Sequence, residues 1–145
     1  MIIEPTTLKN SPNSKFPSSA QFQLLHLALE DADLENGCLW FIPGTHTRPV
    51  TRYMVRNTQK PGPPTVFTAP PDEFNDADFV STPVKKGSAI LIHGQVVHKS
   101  EKNLSDRSRE IFTFHIAEST GNTVWSKDNW IQPTDEYKFP KLFTA

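Results

Sequence analysis

"HGQVVHKSEKNLSDRSREIFTFHIAES" spans residues 93–119 and holds three of the chain's five histidines, two arginines and an alternating tail. In "REIFTFHIAES", Arg109, Ile111, Thr113 and His115 share one side of an extended chain, and Glu110, Phe112, Phe114 and Ile116 share the other. That period of two marks a β-strand. Just upstream, "SAILIHG" is a short apolar run stopped by Gly94, and "QVVHKS" resumes extended structure with Val96, His98 and Ser100 on one side. "KNLSD" is a turn, so the next strand is expected to run back beside the first.

Two readings of this stretch stand side by side. In the chemical one, a neutral imidazole (His98), a hydroxyl (Ser100) and a guanidinium (Arg109) converge in a barrel mouth and hold a metal and a carboxylate. In the structural one, His98 ends a strand, Arg107 and Arg109 are solvated, and Asp106 supports the turn. Arg107 has the same strand parity as Arg109 and competes with it for the carboxylate. His93, beside the glycine bend, and His115, mid-strand, read as structural histidines.

Working outward, "LLHLALED" from Leu24 is a short apolar run ending in charge, and "CLWFIPG" is a strand closed by Pro43-Gly44. Asn36-Gly37 lies between them and predicts that the two pair as an antiparallel hairpin. Trp40, Phe112 and Phe114 are expected in the core, and Cys38 as a buried, inert thiol. Residues 1–23, rich in Pro, Ser, Asn and Thr, read as loop or disorder ahead of a domain over residues 24–145. Residues 45–79 read as a long irregular surface loop, five prolines falling in "QKPGPPTVFTAPPDEFNDAD". "FVSTPVKKG" is a strand with a turn at Lys86-Gly87, and the tail from Gly121, with Trp125 and Trp130, is expected to fold back as irregular cover.

The bulk numbers narrow the classes. A chain of 145 residues suits one domain. A net charge of −1 with scattered Lys and Arg gives no footprint for nucleic acid or anionic lipid. One cysteine excludes an internal disulfide framework and suits a reducing compartment. No apolar run approaches the roughly 18 residues of a membrane span, and "MIIEPTTLKN" lacks the pattern of a secretory signal, so a cytoplasmic location is expected. Thirteen prolines and successive short strands imply a mainly all-β chain, a jelly-roll (cupin-like) barrel or sandwich with long irregular loops.

The wording of the chain is more specific than its spacing. "LALEDADLENGCLWFIPGTH" (residues 27–46) and "KKGSAILIHGQVVHKSEKNLSDRSREIFTFHIAES" (residues 85–119) together resemble the phytanoyl-CoA dioxygenase family, as does the tail "VWSKDNWIQPTDEYKFPKLFT". The resemblance implies a double-stranded β-helix that binds Fe(II) through a His-x-Asp pair and a distal histidine, leaving positions open for 2-oxoglutarate and O₂. It puts the distal histidine on His98, and the arginine that grips the far carboxylate of 2-oxoglutarate on Arg109, with Ser100 as a helper. It puts His26, in "LLHLALED", where the family lines the cosubstrate pocket with a tryptophan or similar group. The implied activity is hydroxylation of a small organic substrate coupled to 2-oxoglutarate decarboxylation.

One element of that pattern is absent. The residues two places after the five histidines are Ala28, Arg48, Gln95, Ser100 and Ala117, so the chain has no His-x-Asp or His-x-Glu. By the family's order the pair would precede "IIEPTTL" (residues 2–8), which makes this a shortened form, expected to lack turnover as an isolated chain. The alternative is a non-catalytic jelly-roll that binds 2-oxoglutarate weakly or associates with protein through exposed strand edges.

Overall fold

A computed structural model describes residues 2–3, 22–117, 125, 127–129 and 131–142, with residues 2, 3 and 22 described by backbone alone. Among these lie nine strands: β1 (Ile2–Ile3), β2 (Phe22–Ala28), β3 (Leu39–Phe41), β4 (Met54–Arg56), β5 (Thr65–Phe67), β6 (Val80–Thr82), β7 (Ala89–His93), β8 (His98–Ser100) and β9 (Ile111–Ala117). They form a four-stranded sheet in the order β1-β8-β3-β6, a three-stranded sheet β7-β2-β9 and a two-stranded ribbon β4-β5. All pairs are antiparallel. The two larger sheets make the jelly-roll that the strand pattern predicts, and no helix among the described residues is long and apolar enough to cross a membrane.

Asn36-Gly37 does not close a hairpin. β2 pairs with β7 and β9, whereas β3 pairs with β6 and β8, so the chain changes sheets at this point. The Asn36 side chain explains the corner. Its Oδ1 accepts from the Asp33 N–H at 2.7 Å, and its Nδ2 donates to the carbonyls of Asp31 at 2.8 Å and Ser108 at 3.3 Å. The amide is 1 % exposed, so these bonds satisfy a polar group that water does not reach. Gly37 has φ +90°, and a Cβ there would lie 2.7 Å from the Glu101 carbonyl oxygen. Only glycine admits that approach.

"KNLSD" is a second sheet-changing corner. β8 belongs to the four-stranded sheet and β9 to the three-stranded one, so the two do not run side by side as expected. The Leu104 N–H donates to the Glu35 carbonyl, which binds the two corners together. Residues 45–79 are also more ordered than their composition suggests. They contain the β4-β5 ribbon, a 3-10 turn at Thr45–Thr47 and another at Asp76–Asp78. Tail residues pack on the ribbon: Val55 bridges to Asn129, and the Arg56 N–H donates to Asp128. β1 corrects the reading of residues 1–23 as loop, because Ile2 and Ile3 pair with Lys99 and His98. Residues 4–21 and Trp130 lie outside the described residues.

The core is small: Ala28, Ala32, Cys38, Leu39, Phe79, Ile92 and Val97 are its buried apolar members. Phe112 and Phe114 are not among them. They are 50 % and 44 % exposed, on the outer face of β7-β2-β9 together with Leu91 at 62 %. Register places Leu25 opposite both Leu91 and Phe114, and Leu27 opposite Ala89 and Phe112. The outer face is thus the more apolar one. The inner face carries His26, with Ile90 and Thr113 as its cross-strand partners. Trp40, also expected in the core, is half-buried.

Candidate functional site

His98 opens β8, where it lies opposite Phe41 on one side and Ile3 on the other. It is 5 % exposed, and its ring sits 5.8 Å from that of Phe41. Its Nδ1 meets the Val96 carbonyl at 2.9 Å, and a carbonyl only accepts, so Nδ1 carries the proton. The neutral ring then presents a bare lone pair on Nε2, the tautomer a metal ligand requires. Burial holds the His98 pKa below the ordinary 6.5, although the bond to Val96 opposes this.

His26 lies on the facing sheet, 7 % exposed. Burial lowers its pKa most, and the charges of Arg109 and His98 lower it further. His26 is thus within electrostatic reach of both Arg109 and His98. Parity agrees, since Thr113 stands opposite His26 and Ile111 opposite Ala28, which leaves Arg109 on the same inward-facing row. Arg109 is half-buried and, among the described residues, makes no hydrogen bond or ion pair. Arg107 is different. Its Nη2 reaches Asp33 at 2.9 Å and Glu35 at 3.3 Å on the outer corner.

Ser100 faces the same way as His98 by strand parity. Its Oγ lies within donating distance of the carbonyls of Gly37 at 3.0 Å and Glu101 at 3.2 Å, so the hydroxyl is engaged by the corner's backbone. His93 and His46 pack together at 5.3 Å between ring centroids. The His93 Nδ1 accepts from the Gln95 N–H. Cys38 is fully buried, and that burial pushes its thiol pKa up, as suits an inert side chain. Sequence reasoning missed Val96 and Phe41, which fix the His98 ring. Neither carries a motif signal, because one acts through its carbonyl and the other through strand register.

The arrangement provides two buried histidines with lowered pKa values and, acting on His26, a guanidinium with no ion pair among the described residues. It can receive an anionic carboxylate, and His98 can supply one lone pair to a metal. A three-donor iron centre does not fit: among the described residues no group of three or more His, Cys, Asp or Glu side chains could hold a metal ion.

Comparison with known proteins gives a consistent picture. The family model described as Phytanoyl-CoA dioxygenase (PhyH) matches residues 10–111. Phytanoyl-CoA dioxygenase domain-containing protein 1 of Bos taurus is 58 % identical over 120 residues, covering 83 % of this chain and 41 % of the relative. Its Danio rerio counterpart is 56 % identical over 118 residues, covering 81 % of this chain and 40 % of the relative. The chain therefore spans about two fifths of the length of these curated relatives. Among solved structures, EvdO2 of Micromonospora carbonacea var. aurantiaca complexed with 2-oxoglutarate superposes with a TM-score of 0.50 at 20 % identity. That match covers 90 % of this chain and 55 % of EvdO2, and it supports the jelly-roll assignment.

Proposed function

Because the chain belongs to the phytanoyl-CoA dioxygenase family, we propose that it carries the cosubstrate-gripping part of an Fe(II)/2-oxoglutarate dioxygenase site without a complete set of iron ligands. Arg109 holds the far carboxylate of 2-oxoglutarate, His26 lines that pocket, His98 offers one iron ligand, and Ser100 supports the strand beside it. The observation that carries this reading is Arg109, without an ion pair among the described residues, acting on the buried His26, on which His98 also acts. Arginine is suited to the task because its planar fork donates two parallel hydrogen bonds to a carboxylate. When bound, iron supplies O₂ activation in this family's chemistry. With His98 alone as a protein ligand, iron affinity falls by orders of magnitude, since even the loss of outer supporting contacts costs about 10–100-fold. The isolated chain accordingly binds 2-oxoglutarate weakly and does not turn over. Anaerobic titration with Fe(II) and 2-oxoglutarate tests this: no metal-to-ligand charge-transfer band is expected, and a band at near-stoichiometric iron would refute it.

A second reading is association through protein surface, favoured by the uncovered apolar row of Leu91, Phe112 and Phe114. Among the described residues, β7 and β9 are also the outer strands of their sheet, the positions from which strands pair with other chains. Light scattering after size exclusion is expected to show species larger than one chain, reduced by Leu91→Lys and Phe114→Lys. A concentration-independent monomer of the unaltered chain contradicts it.

A further inference from the structure

We infer that Glu30 is a positioning residue for Arg109: its carboxylate holds both chain neighbours of the arginine, Ser108 and Glu110, and so sets the direction in which the Arg109 side chain leaves the backbone. The inference rests on the reading of Arg109 as the carboxylate clamp and names the residue that keeps the clamp in place.

Arg109 stands just before β9, whose pairing with β2 ends at Ala28 and Ile111. The regular ladder therefore does not reach it. Other bonds continue the contact past that pair. The Leu29 N–H donates to the Glu110 carbonyl at 3.0 Å. Glu30 then accepts twice: Oε1 takes the Ser108 hydroxyl at 2.8 Å, and Oε2 takes the Glu110 N–H at 2.8 Å. The Ser108 carbonyl accepts from the Asn36 Nδ2 at 3.3 Å.

The consequence is geometric. The Ser108 carbonyl belongs to the peptide group before the Arg109 Cα, and the Glu110 N–H to the peptide group after it. A residue has only two soft backbone dihedrals, so anchoring both groups fixes them and the direction of the Cβ with them. A carboxylate suits this task because it accepts with both oxygens at once. The bond from Ser108, and after it the bond from Glu110, hold the Glu30 pKa below its ordinary 4.5, so the acceptor form persists at neutral pH.

The neighbouring acid gives the contrast. The Asp31 carboxylate accepts from the Lys85 Nζ and the Lys86 N–H, both at 2.8 Å, and among the described residues bonds to neither neighbour of Arg109. Charge and positioning also predict opposite results for Glu30. Removing a negative charge near an anion site strengthens anion binding, whereas releasing the clamp weakens it.

The test pairs calorimetric 2-oxoglutarate binding, without metal, with an NMR titration of the His26 ring in the full chain. Glu30→Ala is expected to weaken binding about tenfold. It is also expected to raise the His26 midpoint toward that of Arg109→Ala, because a displaced guanidinium no longer lowers it. Glu30→Gln should keep most of the affinity, its oxygen accepting from the Glu110 N–H and its amide donating to the Ser108 hydroxyl. Asp31→Asn should match the unaltered chain in both readouts. Ser108→Ala removes one of the two bonds and should show the signs of Glu30→Ala at smaller size, which keeps the test decisive where Glu30→Ala folds poorly. Unchanged or tighter binding in Glu30→Ala and Ser108→Ala, or an equal loss in Asp31→Asn, overturns the inference. An unaltered chain that binds no 2-oxoglutarate refutes the proposed function instead, and the His26 midpoint then decides the positioning: no rise in either variant overturns it.

Discussion

Arg107 and Arg109 are two residues apart, yet they occupy opposite kinds of surroundings. On the outer corner, Arg107 meets Asp33 and Glu35, and Asp33 in turn accepts the Glu35 and Asn36 N–H groups. Between the sheets, Arg109 has no acid partner among the described residues and acts on the buried His26, whose pKa it lowers. The corner is an arginine satisfied by its own chain, which is a structural device. The interior is an arginine left without an anion, which suits a ligand. Strand parity cannot separate them, since both fall on the same side. What separates them is the sheet-changing corner, which ends at Ser108 and turns the chain inward after it.

The comparison can be broken at the corner first. Gly37→Ala puts a Cβ against the Glu101 carbonyl at a positive φ, and should cost about 3 kcal/mol. Asn36→Ala strips the carbonyls of Asp31 and Ser108 of their donor, and should cost roughly 2 kcal/mol. Denaturant midpoints measure both, and a loss close to zero in either would mean that the corner is not what holds the sheets in place.

A pH series sharpens the interior side. The folded pKa values of His26 and His98 lie below the ordinary 6.5, so the unfolded chain takes up protons first as pH falls. Stability tied to these residues is therefore complete above about pH 6.5 and declines as pH drops below it. Thermal melts from pH 7.5 to 5.5 should show that decline, and His26→Gln should flatten it. The smallest effect is expected for Arg107→Ala, whose ion pairs are largely exposed and screened by solvent. Its melting temperature should stay close to that of the unaltered chain.

Much of the fold was legible because strands announce themselves by a period of two. "REIFTFHIAES" became β9 and "SAILIH" became β7. Alternation names two faces, however, without saying which is covered. Phe112 and Phe114 looked like the core side, yet they are exposed, and the row of Ile111 and Thr113 turned inward beside His26. Asn36-Gly37 was a true turn signal, but its type depended on a partner 72 residues away, the Ser108 carbonyl. The same distance problem hid the Phe41–His98 contact, which exists only through strand register. The site's residue types came from resemblance in wording. That Arg109 and His98 both act on His26 could come only from three dimensions.

The most direct test compares 2-oxoglutarate binding by the unaltered chain, Arg109→Ala and Arg107→Ala, measured calorimetrically without metal. Removing the partner of a sheltered carboxylate should weaken binding about 30-fold or more in Arg109→Ala, while Arg107→Ala binds as the unaltered chain does. Equal losses in the two variants, or an Arg109→Ala chain that binds normally, would contradict the assignment of Arg109 as the carboxylate clamp.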